Sequence, residues 1–484
     1  MLNTSLTDIL KTFSKEDLKG FGDFIVSPYF NKKNTVIKLW DNVKQYYPDF
    51  KNKNLKREIV WESLYPGKEY NYGVMKNLIY DLNQLIERFL EEEMLADNKY
   101  NRGLQLFYNL SDRDLGKLSL SKYKILEEKL LNMKHGADRY SKLSELKWSA
   151  ETAMGSTDRK INSGVYEISE YMICNFLISL FKVYNNIAAE KLSNKESRTY
   201  NLLEDFLGNL KIDRILESIK KNSPEDHNIV NIFYNMYKAL SVINKSESFY
   251  NFKDSVLEND HLLDESERKN LYACLWTSLS YNKAVKNKPF EFNEIMKIQH
   301  SKNLLVDQAG IINTRKYSLG IRIAAMAKDF DFLKEFADSY LKCTRPSARE
   351  NMTLYGNAYL HFAKCEYGKA LETVNKINFD ITAFKYEIKN LQIMLFYELN
   401  EIESLMYALD SYKHFASNNQ FVSESARDNI SRFIGYVNAL CKLKEKQDKI
   451  KIQMLTEKIS NDNLNTKYWL LEKAGELIEL RIKN

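Results

Sequence analysis

The sequence predicts an almost purely helical protein whose second half is a stack of helical hairpins. Three observations carry this. Glycine and proline are scarce, 16 and 6 in 484 residues, so few positions oblige a helix to end. Apolar residues in the long segments recur at three- and four-residue spacing instead of alternating. Two consecutive segments between Arg349 and Phe415 follow one hairpin plan. The expected architecture is all-α: an α-solenoid of irregular hairpins behind an N-terminal helical bundle. Residues 1–98 form the bundle, 99–222 a long-helix connecting region that could begin the array, and 223–484 the hairpin array with a C-terminal capping helix.

The bundle is set apart by composition, because three of the six prolines fall within it. Ser14 and Asp17 have capping-box spacing and open the helix KEDLKGFGDFIV, whose core face carries Leu18, Phe21, Phe24 and Ile25. It stops before Ser27-Pro28. Helices from Thr35 to Tyr47 and from Leu55 to Leu64 end at Pro48 and before Pro66-Gly67. A long fourth helix runs from about Asn71 to Leu95. Each break, SPYFN, YPDF and YPGKEY, sets an aromatic beside a proline, which predicts loop rings anchored on the bundle, the alternative being an exposed aromatic surface that binds a partner.

Longer helices follow: GLQLFYNL, Lys117 to Met133, Tyr140 to Met154, and Ile161 to Leu192. Acids alternate with bases from Arg113 to Lys160, the pattern of a solvated helix face. Ser223-Pro224-Glu225 is a strong helix start, with serine as cap, proline in the first turn and an acid complementing the dipole. Asp264 with Glu267 and Ser347 with Glu350 have capping-box spacing, and Ser423 begins another helix. The helix with Trp469, Leu470, Ala474 and Leu477 is expected to cover the end of the stack.

Between them lie the hairpins. MTLYGNAYLHFAKCEYGKALETVNKI places Leu354, Ala358, His361 and Phe362 on one helix, breaks at Cys365-Glu366, and resumes with Tyr367, Ala370, Leu371, Val374 and Ile377. In the next segment Leu405 stands 35 residues after Ala370, and upstream Leu333 stands 37 residues before it. Small Ala358, the EYGKALE run from Glu366 to Glu372, and this period make residues 313–416 resemble tetratricopeptide repeats. The neighbouring copies depart from that pattern: Ile321 and Ile393 stand where Ala358 does, and Leu333 and Leu405 where Ala370 does. Over most of its length the chain, through SPYFN, YPDF, YPGKEY, NLIYDLNQLIERFL and YELNEIESLMYALDSYKHF, resembles an uncharacterised family of bacterial all-helical proteins. That resemblance implies the architecture and supplies no activity or site.

The sequence carries no catalytic, metal or phosphate-binding signature. The six histidines have no paired helical spacing and no cysteine partner, so no metal site is expected. No GxxxxGK[ST] loop, GxGxxG turn or GxSxG elbow occurs, and neither a cofactor nor catalysis is expected. The five cysteines, odd in number and scattered, read as reduced, small, buried residues of a cytoplasmic protein. The apolar run around YMICNFLISLF reads as too short to cross a bilayer, so no membrane insertion is expected. A formal charge of +6, interspersed along the chain, argues against a dedicated nucleic-acid binder.

The tetratricopeptide resemblance implies that the first helix of each hairpin lines a concave face. Its matching positions are Tyr355, Tyr359 and Phe362 in the middle hairpin, Arg315 and Arg322 in the preceding one, and Asn390, Met394 and Tyr397 in the next. Aromatic anchors beside Arg and Asn suit an extended peptide. The expected function is therefore a non-catalytic scaffold or adaptor that binds a protein or peptide partner. The second reading is a nucleic-acid-associated regulator acting through the N-terminal bundle or basic helices.

Overall fold

The computed structural model describes residues 4–50, 55–154, 164–193, 201–378, 382–420, 422–446, 448–462 and 464–479. The described residues form 24 α-helices and no strand. Two compact units are present: Met1–Met133 with Lys142–Ile168, and Lys134–Ser141 with Ser169–Asn484. Compactness thus divides the chain elsewhere than the proline pattern does at 98 and 222. Prolines mark where helices stop, whereas unit boundaries follow side-chain packing, which continues from the long helix of the bundle into the next one.

The first unit begins with α1 (Thr4–Leu10), α2 (Lys15–Val26), α3 (Asn34–Lys44), α4 (Arg57–Leu64) and α5 (Tyr72–Asp97). The Ser14 capping box forms in both directions, Asp17 N–H donating to Ser14 Oγ and Ser14 N–H to Asp17. Phe21 packs edge-on against Trp40 and Phe89, with ring centroids 4.8 and 5.5 Å apart, and this cluster is the bundle core. The loop aromatics mostly anchor as expected: Phe30 stacks on Phe24 at 4.1 Å, Phe50 is buried, and Tyr65 lies on Trp61. Tyr29 is the exception, 79% exposed. Next come α6 (Lys99–Ser111), α7 (Gly116–Leu131) and α8 (Ala137–Met154), where Lys147 pairs with Glu127 and Glu167, each at 2.7 Å.

The second unit takes most of α9 (Gly164–Ser193), then α10 (Leu202–Asn209), α11 (Ile212–Asn222), α12 (Pro224–Ser241), α13 (Ser246–Asn259), α14 (Glu265–Tyr281) and α15 (Lys288–Ser301). It continues with α16 (Thr314–Met326), α17 (Phe330–Leu341), α18 (Arg349–Ala363), α19 (Tyr367–Val374), α20 (Thr382–Glu398) and α21 (Ile402–Asn418). It closes with α22 (Glu424–Lys446), α23 (Lys449–Ser460) and α24 (Lys467–Glu479). From α11 onward every helix packs on the next, and α12 on α14, α16 on α18 and α22 on α24 as well. Three apolar clusters follow one another along this order.

The turns after α16, α18 and α20 are alike in detail. Lys328, Cys365 and Asn400 each adopt left-handed backbone, at φ 58°, 59° and 59°. The next N–H reaches back five residues in each case: Asp329 to Ala324, Glu366 to His361 and Glu401 to Phe396. This is the Schellman closure, which satisfies carbonyls left open at a helix end. The turns are 37 and 35 residues apart, the offsets read from the apolar pattern. Ala358 and Ala370 are both fully buried, and His361 bonds to Glu366 across its turn at 2.6 Å. In the preceding hairpin the close approach comes from Gly320, beside Ile321: a Cβ there would lie 2.2 Å from Phe336 Cζ.

The Ser223, Asp264 and Ser423 starts form as expected, each side chain accepting a first-turn N–H. The Ser347 capping box does not form. Residues Pro346–Ala348 wind into a 3-10 turn, α18 starts at Arg349 without a side-chain cap, and the Arg349 guanidinium binds the Thr344 and Lys342 carbonyls instead. All five cysteines are free, yet Cys365 is exposed because it occupies the outward turn position. The expectation about α9 also changes. Residues Gly164–Lys191 make one helix long and apolar enough, by length and composition alone, to cross a membrane, because counting contiguous apolar letters stops at its scattered polar residues. Its Cys174, Leu177, Ile178 and Phe181 lie in the core of the second unit, and Lys182 pairs with Glu267.

Candidate functional site

The first helices α16, α18 and α20 bring their C-terminal turns together, and α24 passes beside them. Packing brings α24 there through Trp469, Leu470, Ala474 and Leu477, buried with α22 and α23 residues. Two groups four residues apart on one face of α24 then meet Glu398, the last residue of α20. Trp469 Nε1 donates to Glu398 Oε1 at 2.7 Å, and Lys473 Nζ lies 2.9 Å from the same oxygen. The Lys473 side chain is 6% exposed. Burial opposes its charge, but Glu476 and Glu398 outweigh burial and raise its pKa.

Between these helices is a cavity of about 90 Å3 lined by Arg322, Tyr359, Phe362, Asn390, Met394 and Trp469, among others. Five of the eight positions nominated from the hairpin pattern therefore meet in one place. Tyr355 is fully buried beside the cavity, its ring 4.8 Å from Tyr359 and 4.9 Å from Phe384. Tyr397 packs edge-on to Trp469 at 5.3 Å, outside the lining. Arg315 is exposed, about two turns before Arg322 on α16.

Arg322 is not a free guanidinium. It forms an ion pair with Glu387 of α20, the two side chains 12% and 18% exposed. Burial works against the guanidinium charge, and Glu387 together with the Tyr355 and Tyr359 hydroxyls more than offsets it, so its pKa rises. Tyr359 is held protonated by burial and by the Glu387 charge. The floor of the cavity is thus an internally neutralised pair under aromatic walls.

The cavity continues into an open groove of about 660 Å3. Arg322, Met326, Asn465 and Tyr468 line both, and the groove adds Trp276 of α14, Phe292 of α15 and Lys467 of α24. Size separates the roles of the two spaces. About 90 Å3 holds a few waters or one side chain, less than the roughly 150 Å3 of a benzene-sized cavity, whereas 660 Å3 falls in the range of about 300–1,000 Å3 that ligand sites occupy.

The sequence reading did not find Glu387, Glu398, Trp276, Tyr468 or Lys473. Glu387 lies 65 residues from Arg322, and Glu398 lies 75 from Lys473, and no local pattern marks such meetings or brings Trp276 and Tyr468 to one groove. Among the described residues no three His, Cys, Asp or Glu side chains converge as metal ligands would. Comparison of the chain with protein-family models, with curated proteins and with solved structures finds no match.

Proposed function

We propose that the second unit is an irregular α-solenoid of tetratricopeptide-like hairpins, and that it serves as a non-catalytic scaffold or adaptor binding a peptide segment of a partner protein. The observation that carries this is the meeting of Arg322, Tyr359, Phe362, Asn390 and Met394 around one cavity that opens into a peptide-sized groove. The identical turns at Lys328, Cys365 and Asn400 support the hairpin array. In this reading one partner side chain fills the cavity and its backbone lies in the groove. Pre-formed aromatic walls and half-buried polar groups favour such capture, since little ordering entropy is lost. Five free cysteines accord with a cytoplasmic site of action.

The test is selection of binders from a displayed library of short random peptides on the full chain. The enriched sequences are then titrated against Phe362→Glu and Asn390→Lys proteins whose helical content is unchanged. Loss of about tenfold or more in affinity is expected. Unchanged affinity in both variants would remove the concave site.

A further inference from the structure

Two lysines at the groove are bonded to backbone carbonyls. Lys288 opens α15 and stands outside the groove lining, at its edge, donating to the carbonyl of Ser280, which lines the groove, at 2.9 Å. Lys467 opens α24, lines the groove, and donates to the Ser460 carbonyl. Among the described residues neither forms an ion pair, whereas Lys253, Lys297, Lys302 and Lys473 of the same unit each have a carboxylate. Both are half-buried. Burial first, and the Lys467 charge second, push Lys288 down to about 8. Burial also lowers Lys467, partly countered by Asp462; that carboxylate is already bound by Arg432 and by Tyr436 Oη.

A pair of like charges withdrawn from water costs stability unless an anion joins them. The surroundings say what kind of anion. Trp276 stacks on Phe292 with centroids 4.8 Å apart, and with Tyr468 these rings give the groove an apolar wall beside the cations. The exposed carboxylate of Glu190 also lines the groove. A phosphate backbone needs a run of cations of one sign, which a single pair bounded by an acid does not supply. Single carboxylates next to an apolar side chain match it.

We infer that the groove formed by α14, α15, α16 and the Leu464–Tyr468 segment takes an acidic peptide segment, its carboxylates seated on Lys288 and Lys467 and an apolar side chain against Trp276 and Tyr468. This rests on the peptide-binding reading and specifies its ligand. Acidic side chains are selected by the lysine pair, and the neutralised Arg322–Glu387 floor is left to receive an uncharged side chain.

The displayed-library experiment tests it on the full chain. Expected are enriched peptides with Asp or Glu beside an aromatic or Leu, and a Lys288→Gln/Lys467→Gln protein that binds them about tenfold or more weakly with unchanged helical content. The Lys288→Arg/Lys467→Arg protein, which keeps both charges, should retain most of the affinity. Enrichment of neutral or basic peptides would overturn acid recognition while leaving peptide binding intact. Equal binding of acidic peptides by the Gln protein, or their displacement by a single-stranded oligonucleotide at lower concentration, would do the same. Absence of any enriched peptide would remove both the inference and the reading beneath it.

Discussion

Arg322 on α16 is paired with Glu387 on α20, across the intervening hairpin and 65 residues along the chain. The pair fastens two first helices to each other at the base of the cavity. Because both side chains are largely withdrawn from water, removing one leaves the other without its counter-charge. Arg322→Met should lower the unfolding free energy by about 3 kcal/mol, and Arg322→Met with Glu387→Leu by clearly less. Urea titrations of the single and double variants check this; equal losses would mean that the pairing is not what the single change removes.

The Cys365 turn offers a gain. Its left-handed backbone costs a side-chain-bearing residue about 1 kcal/mol, and the position is exposed. Cys365→Gly should therefore stabilise the protein by about 0.5–1 kcal/mol, the relief of strain exceeding the added freedom of the unfolded chain. Thermal unfolding measures it, and a lowered midpoint would speak against the turn geometry.

Gly320 is the converse case. A Cβ placed 2.2 Å from Phe336 Cζ requires the buried ring to move or α16 and α17 to part. Gly320→Ala should destabilise by about 1–3 kcal/mol although alanine favours helix. Adding Phe336→Leu should recover part of the loss, and failure of this rescue in a double-mutant cycle would argue against the contact.

The Lys288 ammonium carries a pH dependence. Burial and the nearby Lys467 depress it in the folded protein to about 8, below its ordinary value of 10.5. Between those values the unfolded chain binds more protons than the folded one, so stability rises with pH across that window. The penalty is full below about pH 8. Lys288→Met should stabilise at pH 7 by about 1–2 kcal/mol, allowing for the water that still reaches the side chain, and the advantage should vanish by about pH 10.5. Denaturant titrations of both proteins over this range decide it. A constant difference would contradict the assigned depression.

The hairpins were legible because apolar periodicity reports local amphipathic faces, and the 37- and 35-residue offsets reappear in the turns at Lys328, Cys365 and Asn400. The turn residues themselves were not. Lysine and cysteine have no preference for left-handed backbone, which here is imposed by the helix end. Gly320 was missed beside Ile321 because matching a repeat position by position cannot see a close approach displaced by one residue. Of the site, Arg322, Tyr359, Phe362, Asn390 and Met394 were legible as positions on first helices. Glu387, Glu398 and Lys473 were not, since only tertiary packing brings α16 to α20 and α24 back to α20.

The proposed peptide groove is tested most directly by amide hydrogen exchange of the full chain with and without a saturating selected peptide. Added protection is expected to concentrate in α14, in α16 and in the segment from Leu464 to Lys473. Protection confined to α1–α5, or spread evenly over the second unit without emphasis on those elements, would contradict it.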